Sequence, residues 1–470
     1  MIEPTYTHAR AGEYARPRGP WDGPTIDAAL SAHDGADVAE RVARVAGGLR
    51  AAGVRLHDAV CWQRPNGDDV RLLLRACWRI GAVAVPIHHA AGAADVDVIV
   101  EDTAPSLVVE DALPDGEPVR DGASSPADAA VVLYTSGSTA RPKGVIHTHR
   151  GLAYKARLMA AVHGLQADDA VLMPAPLAHI SGLQNGITLP GVVPMRAVFM
   201  ARWDPEEAVR IIERERITFM IGPPTFFISL MAASNFTPSA VSSLRLVSSG
   251  GAGVTPAFVE EAQRVLGCVV KRTYGSTEAP TITTTQPGDD PVKAMTTDGR
   301  PTGAVELRTD PATGELLVRG PELFCGYTDP RRNVDAFTDD GWFRTGDLAA
   351  IDDDGWLTIV GRLKDIIIRG GENIPAAEVE ATLEAHPAVR HAVAVGAPHE
   401  RLGEQVVAYV MVTPGAGFDL AACREWFATR GVAKFKTPEH VVVVDELPLL
   451  AAGKPDRGAL RARAADDVTA

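Results

Sequence analysis

The sequence predicts an α/β chain in which a large N-terminal domain of helix-covered sheets, with a small β region at its end, precedes a small α+β C-terminal domain. Two observations carry this prediction. From Asp37 to Tyr274 short apolar runs alternate with stretches of helical spacing, the pitch of parallel sheets covered by helices. After Gly299 the pattern shifts to short strands joined by Asp/Gly turns, and from Ile366 it becomes a mixed strand–helix segment of roughly 100 residues, enough for one domain.

Asp37 to Ala52 places Val38, Val42, Val45 and Leu49 at helical spacing, and Ala59 to Trp62 reads as a buried strand. Asp68 to Ile80 is a second helix and Ala82 to Ile87 a second strand, with Val98 to Val100 and Leu107 to Val109 as further apolar stretches able to continue the series. Pro114 to Ala127 is a Gly/Ser/Pro/Asp-rich connection. Val131 to Tyr134 is a strand, His149 to Val162 a helix and Ala170 to Met173 a strand. Asp204 to Glu213 begins with Asp, Pro and two acids, which is a helix start. Ile217 to Ile221, Leu244 to Ser248 and Val269 to Tyr274 are strand-like, and Pro256 to Leu266 is helix-like. Several loops then share one sheet edge, which is where ligands bind in open α/β folds. The later strands are Glu315 to Arg319, Ala349 to Ile351, Trp356 to Val360, Ile366 to Arg369, Arg390 to Gly396, Gln405 to Val412 and His440 to Val444, with helices at Ala376 to Ala385 and Leu420 to Arg430.

The chain has 470 residues, 46% hydrophobic and 23% charged, a balance that can bury a sizeable core. Its formal net charge of −14 argues against nucleic acid or an anionic membrane as partner, so positive charge for an anionic ligand must be focused locally. The 5 cysteines form no CxxC pair, the usage of reduced thiols. The first stretch carries charges and prolines, and no apolar run approaches the ~18 residues of a membrane span, so the expected location is cytoplasmic.

Leu133 to Gly144 reads LYTSGSTARPKG. A buried strand there empties into Thr135, Ser136, Gly137, Ser138 and Thr139, whose hydroxyls and backbone N–H groups can wrap an anion, and Lys143 follows as a cation behind Pro142. The Walker pattern fails, because Pro142 precedes the Lys and Gly144 follows it. The three-glycine dinucleotide fingerprint fails too, since Pro256 stands where the last Gly of Ser249–Gly253 should be.

Five stretches in order, LYTSGSTARPKG, YGSTE (274–278), WFRTGD (342–347), GRLKDIIIRGGENI (361–374) and the terminal GK (453–454), resemble the adenylate-forming superfamily of acyl-CoA synthetases, adenylation domains and luciferases over essentially the whole chain. The resemblance implies ATP, Mg²⁺ and coenzyme A as cofactors. It implies activation of a carboxylic acid as acyl-AMP with release of pyrophosphate, then transfer to the thiol. Thr135 to Thr139 and Lys143 match the phosphate-binding residues. Gly250, Gly251 and Ala252 match a backbone wall, and Tyr274 with Gly275 the adenine face. Thr277 matches the α-phosphate contact, Glu278 the metal ligand, and Asp347 with Arg362 the ribose contacts. Lys454 matches the lysine that bridges carboxylate and α-phosphate, a role suited to a point cation on a flexible stem.

By the same resemblance the chain divides into an N-terminal ATP- and acyl-binding domain, 1–363, and a mobile C-terminal domain, 364–470. Its hinge is at Lys364, and Gly370 and Gly371 flank the pantetheine path. His179, Phe226, Phe227, Gly251, Gly253 and Ala279 would line the acyl pocket, with His179 as its gate. Ile180 stands where amino-acid-activating members carry Asp, so an aliphatic, alicyclic or aryl acid is expected, as in medium-chain and alicyclic or aryl CoA ligases. An acyl carrier protein is the alternative acceptor, a single half-reaction the alternative activity, a non-catalytic sensor the alternative class, and a homodimer is compatible with the sequence. Two departures stand out. Ala140 replaces a loop Gly, at a cost of roughly 1 kcal/mol if positive φ is needed, and Leu449-Leu450-Ala451 replaces a hydroxyl-bearing run.

Overall fold

The computed structural model describes residues 1–5, 19, 21–135, 141–450 and 454–468. Ser136, Gly137, Ser138, Thr139, Ala140, Ala451 and Gly453 lie outside the described residues. The chain forms two compact units, one of Met1–Val254, Val259–Leu307 and Val318–Arg344, the other of Thr255–Phe258, Arg308–Leu317 and Thr345–Ala470.

The first unit holds two sheets. Strands β1 (Ala59–Gln63), β2 (Val83–Ile87), β3 (Leu107–Val108), β4 (Ala129–Thr135) and β5 (Lys143–Thr148) form the first, in the order β3-β1-β2-β4-β5. Its pairs are parallel except β4/β5, which runs antiparallel. The second sheet has the order β12-β11-β10-β9-β8-β6-β7, from β6 (Ala170–Met173), β7 (Arg196–Phe199), β8 (Phe219–Gly222), β9 (Leu246–Gly250), β10 (Val269–Tyr274), β11 (Thr283–Thr284) and β12 (Arg300–Pro301). β6 to β10 pair in parallel, whereas β11 and β12 are antiparallel additions at one edge. Strands buried on both faces explain the continuous apolar runs, such as AVCW in β1, instead of strict alternation. Trp62, Trp78, Leu72, Phe219 and Met173 belong to one continuous core, and the indole of Trp78 donates to Ala130 O at 3.0 Å.

A four-stranded sheet of β13 (Glu306–Thr309), β14 (Glu315–Arg319), β15 (Phe343–Ile351) and β16 (Leu357–Arg362) follows in the chain. The second unit carries β17 (Ile366–Arg369), β18 (Glu372–Pro375), β19 (Val389–His399), β20 (Gly403–Val412) and β21 (His440–Val443), in the order β18-β17-β20-β19, with β21 pairing in parallel to Val407–Val410 of β20. Helices Ala376–Glu384, Leu420–Thr429 and Arg457–Asp467 complete it.

The expected helices at 68–80 and 256–266 and the strands at 269–274, 315–319 and 366–369 have the predicted bounds. Other strands shift in their bounds, Leu244 to Ser248 being Leu246–Gly250 and Ala349 to Ile351 the end of Phe343–Ile351, and four features differ in kind. Val98 to Val100 lies inside a helix, Ala93–Thr103, whose buried face is only Ile99 and Thr103. Lys143 opens a strand, because the chain turns straight back along β4. Residues after His179 form a helix, Ile180–Leu183, that passes into a π-helical turn, Gln184–Thr188. Gly370 and Gly371 connect two strands, not strand and helix, and their φ of +60° and +92° suit a two-residue hairpin.

Among the described residues no helix is long and apolar enough to cross a membrane. At the edge of the second sheet opposite the strand C-termini, Asp169 ties three segments together. It accepts from Gln166 N at 2.8 Å, from Thr218 Oγ1 at 2.6 Å and from Arg245 Nε at 2.7 Å. Asp169→Asn is expected to lower stability by about 1–3 kcal/mol, because it removes the charge that Arg245 and Thr218 face. Chemical denaturation reads this directly, and an unchanged midpoint would remove Asp169 as the clasp of this edge.

Candidate active site

Strands β4, β9 and β10 end at Thr135, Gly250 and Tyr274, so the motif residues sit at the carboxyl ends of strands, as ligand-binding loops of α/β sheets do. Thr135 pairs with Lys143 and Tyr134 with Gly144 across the β4/β5 ladder, which sets the lysine beside the strand that enters the phosphate-loop motif.

The other edge of β5 carries a second segment. Cys325 N donates to Ile146 O at 2.9 Å, Ile146 N to Gly326 O at 3.1 Å and Thr328 N to Gly144 O at 2.9 Å. This segment brings Tyr327 to Glu278, and its hydroxyl donates to Oε1 at 2.8 Å. Phe324 N donates to the Glu278 carbonyl at 2.8 Å. From β5 itself the buried His147 donates through Nε2 to the Thr277 carbonyl at 2.8 Å. The turn that carries Thr277 and Glu278 is therefore held to β5 directly and through the 324–328 segment.

The protonation states follow from burial. Desolvation brings His147 down to about 4, only partly offset by its bond to Thr277, so the ring is neutral and Nε2–H is the donor. Burial, then the neighbouring Glu278, pushes the Tyr327 phenol well above its usual value, which keeps its proton for the carboxylate. Lys143 Nζ lies 5.6 Å from the centroid of the Tyr327 ring, within cation–π range.

The glycine wall has a steric cause. A Cβ on Gly250 would lie 2.2 Å from Thr273 O on the neighbouring strand, so β9 and β10 can only close up here without a side chain. After Tyr274, Ser276 N donates to Ala279 O at 2.9 Å and Ala279 N to Ser276 Oγ at 3.1 Å, making a tight turn that buries Ala279 and leaves Thr277 and Glu278 half-buried.

The residues expected to line an acyl pocket are spread over several loops of the first unit and the helix Pro224–Met231. His179 begins the helix Ile180–Leu183, and its ring meets that of His88 edge-on at 5.3 Å. Phe226 stacks on Trp203 at 4.5 Å and 14°, whereas its neighbour Phe227 is fully buried. Gly251 has φ +77°, and a Cβ on Gly253 would meet nothing within 4 Å.

In the second unit Asp347 and Arg362 face each other across β15 and β16, with Arg362 Nε 2.7 Å from Asp347 Oδ1. Lys454 shares their surroundings. Burial, then the Arg362 charge, lowers its pKa, and Asp347 opposes both. Lys364 lies in the short turn Leu363–Asp365, and Gly370 and Gly371 in the β17/β18 hairpin.

His147, Tyr327 and His88 are additions to the residues expected from sequence. Tyr327 reaches a partner 49 residues away, which no local spacing reveals. The described residues hold no cluster of three or more His, Cys, Asp or Glu that could form a protein-only metal cage. A single carboxylate such as Glu278, with one oxygen already oriented by a phenol, fits Mg²⁺, which takes few protein oxygens and fills its shell from water and phosphate.

The sequence pattern described as AMP-binding enzyme matches residues 31–123 and 111–328, and that of the AMP-binding enzyme C-terminal domain matches 378–454. The chain is 32% identical over 467 residues to a medium-chain fatty-acid–CoA ligase of Escherichia coli, covering 88% of this chain and 82% of that protein. It is 34% identical over 460 residues to a feruloyl-CoA synthase of an Amycolatopsis species, covering 91% and 93%. The crystal structure of ATP-bound MatB from Rhodopseudomonas palustris superimposes with a TM-score of 0.83 at 28% identity, over 92% of this chain and 93% of that one. With both patterns matched in order and relatives aligned over most of its length, this chain belongs to the AMP-binding enzyme family.

Proposed function

We propose that the chain is an AMP-forming acyl-CoA synthetase. A substrate carboxylate oxygen attacks the α-phosphorus of ATP, the bond from that phosphorus to the bridging oxygen of the β-phosphate breaks, and pyrophosphate leaves. The sulfur of coenzyme A then attacks the acyl carbon of the acyl-AMP, the thiol proton is lost, and AMP departs with the electron pair of the acyl–oxygen bond. The observation that carries this reading is the Thr277–Glu278 turn, fixed between His147 and Tyr327 at the strand ends. Relatives named as CoA ligases support it, as does the ATP-bound state of a 28% identical structure.

Both reactants of the first step are anions, so the protein must place positive charge and donors in advance. In this reading Thr135, Ser136, Gly137, Ser138, Thr139 and Lys143 hold the β- and γ-phosphates, and Thr277 donates to the α-phosphate. Tyr274 and Gly275, with Gly250, Gly251 and Ala252, flank adenine. Asp347 accepts from the ribose hydroxyls, with Arg362 orienting it. Lys454 sits between carboxylate and α-phosphate. Glu278 holds Mg²⁺, which neutralises phosphate charge when bound. Hinge motion at Lys364, in a C-terminal body running 364–470, exchanges Lys454 for the Gly370–Gly371 hairpin, along which pantetheine passes. The body before it is 1–363. His179, Phe226, Phe227, Gly251, Gly253 and Ala279 form an apolar acyl pocket without a carboxylate for an ammonium group. An aliphatic, alicyclic or aryl acid fits it, in line with the fatty-acid and feruloyl names of the relatives.

The reaction itself is tested by acid-dependent exchange of labelled pyrophosphate into ATP across a panel of aliphatic, alicyclic and aryl acids. Exchange with at least one acid, and thioester formation once coenzyme A is added, is the expected result. Silence across the panel would favour a sensor, and exchange without thioester would favour a carrier-protein acceptor or a single half-reaction.

Tyr327→Phe keeps the ring and loses the bond to Glu278. It is expected to cut exchange about 10- to 150-fold, the ~1.5–3 kcal/mol worth of one hydrogen bond to a charged group, and to raise the Mg²⁺ concentration needed for half-maximal rate. An unchanged Mg²⁺ titration would separate Tyr327 from the metal ligand.

Lys454→Ala is expected to reduce exchange by 100-fold or more, on the order of one lost transition-state contact to charge, while thioester formation from supplied acyl-AMP survives. Lys364→Pro should show the reverse bias. Equal losses in both half-reactions for either variant would contradict this division of roles.

A further inference from the structure

The two histidines at the end of β2 have no place in the chemistry described so far. His88 and His89 stack at 4.6 Å and 22°, and His88 meets His179 edge-on at 5.3 Å. The backbone on both sides of this contact is clamped from β1. Gln63, the last residue of that strand, has its Nε2 2.9 Å from Ala91 O, 3.2 Å from His88 O and 3.4 Å from His89 O. Three residues on, Asn66 Nδ2 donates to Ala175 O at 2.8 Å while Asn66 Oδ1 accepts from Leu177 N at 2.8 Å. One amide fixes the loop that carries His88 and the other fixes the loop that leads into His179.

The His88 ring also bonds within its own loop, since Nδ1 accepts from Ala90 N at 3.0 Å. Desolvation, with a contribution from His89, lowers its pKa, so it meets His179 as a neutral ring. His179 in turn starts a helix, and Leu183 N donates to His179 O at 2.9 Å. That helix runs on into the π-helical turn Gln184–Thr188, an arrangement frequent where a side chain is aimed at a ligand.

We infer that His88 is a positioning residue for His179, the T-shaped contact of the two imidazoles fixing the His179 ring in the orientation that meets the acyl group. The inference rests on the acyl-pocket reading of His179. It assigns to the β1–β2 side of the first sheet a part in acid recognition, through two side-chain amides and one ring contact.

Two substitutions separate the ring contact from the loop bond. His88→Asn retains an acceptor for Ala90 N and lacks the ring; His88→Phe retains a ring and lacks the acceptor. Steady-state exchange kinetics on the whole enzyme, with the best acid of the panel, should give His88→Asn a KM for acid raised about three- to tenfold, the worth of one aromatic edge contact. The KM for ATP should stay within twofold. His88→Phe should stay within about twofold for both substrates. In a His179→Ala background, itself with a raised acid KM, His88→Asn should add nothing. A raised ATP KM, a loss with His88→Phe equal to that with His88→Asn, or additive losses in the double variant would overturn the inference and leave His88 a loop residue. If His179→Ala leaves the acid KM unchanged, the pocket reading of His179 falls and the inference falls with it. An effect of His179→Ala without one of His88→Asn removes the inference alone.

Discussion

The proposed site depends on a mechanical constraint: in that reading the loops of two mostly parallel sheets serve one small ligand, and strand β5 is the part that ties the sheets together. One edge of β5 pairs with β4, which places Lys143 beside Thr135. Its other edge pairs with residues 325–328, which deliver Tyr327 to Glu278. Its His147 donates to the carbonyl of Thr277, in the turn that follows the second sheet's β10. A reacting atom misplaced by an ångström costs orders of magnitude in rate, so a strand bonded on both sides is a better ruler than a loop. The turn bearing Thr277 and Glu278 is otherwise closed by its own Ser276–Ala279 bonds.

Electrostatics tells a related story. A chain with a formal charge of −14 has to gather cations where anions are handled. In the first unit the gathered charge is Lys143 over an aromatic face, and the groups around it are neutral donors: a phenol kept protonated by burial and by Glu278, and an imidazole kept neutral by burial. In the second unit Arg362 is engaged with Asp347, and Lys454 is half-buried in the field of both. A lysine whose charged form is disfavoured by burial and by a nearby arginine gains most from an anion arriving beside it.

Much of this was legible in the sequence, for identifiable reasons. Strands buried on both faces leave unbroken apolar runs, and Pro or Asp at helix starts marks the boundaries, so the helices at 68–80 and 256–266 could be bounded from sequence. The 133–144 stretch stands out by its local composition, whereas the other motif residues were legible only through the family resemblance. What escaped were features set by distant partners. Lys143 is in a strand because of what β4 offers it, and Tyr327 matters because of a carboxylate far upstream. His88 and His179 lie on different loops, each held by a side-chain amide, Gln63 on the one and Asn66 on the other. The π-helical turn after His179 likewise has no signature in residue periodicity, since its extra residue per turn is imposed by packing.

The Gly370–Gly371 hairpin shows how one local rule can serve either a fold or a function. Both residues adopt positive φ, which a tight two-residue turn between β17 and β18 demands and which L side chains resist. Gly370 N also donates to Leu402 O at 2.7 Å, tying the hairpin to the turn that precedes β20. A Cβ at Gly370 would approach Leu402 at 3.3 Å, whereas at Gly371 it would meet nothing within 4 Å. Folding alone thus accounts for a glycine at either position through φ, but contact with neighbours constrains only the first. The open space over Gly371 is room that the fold does not use, and in the proposed reading the passing pantetheine arm is what needs a bare backbone there.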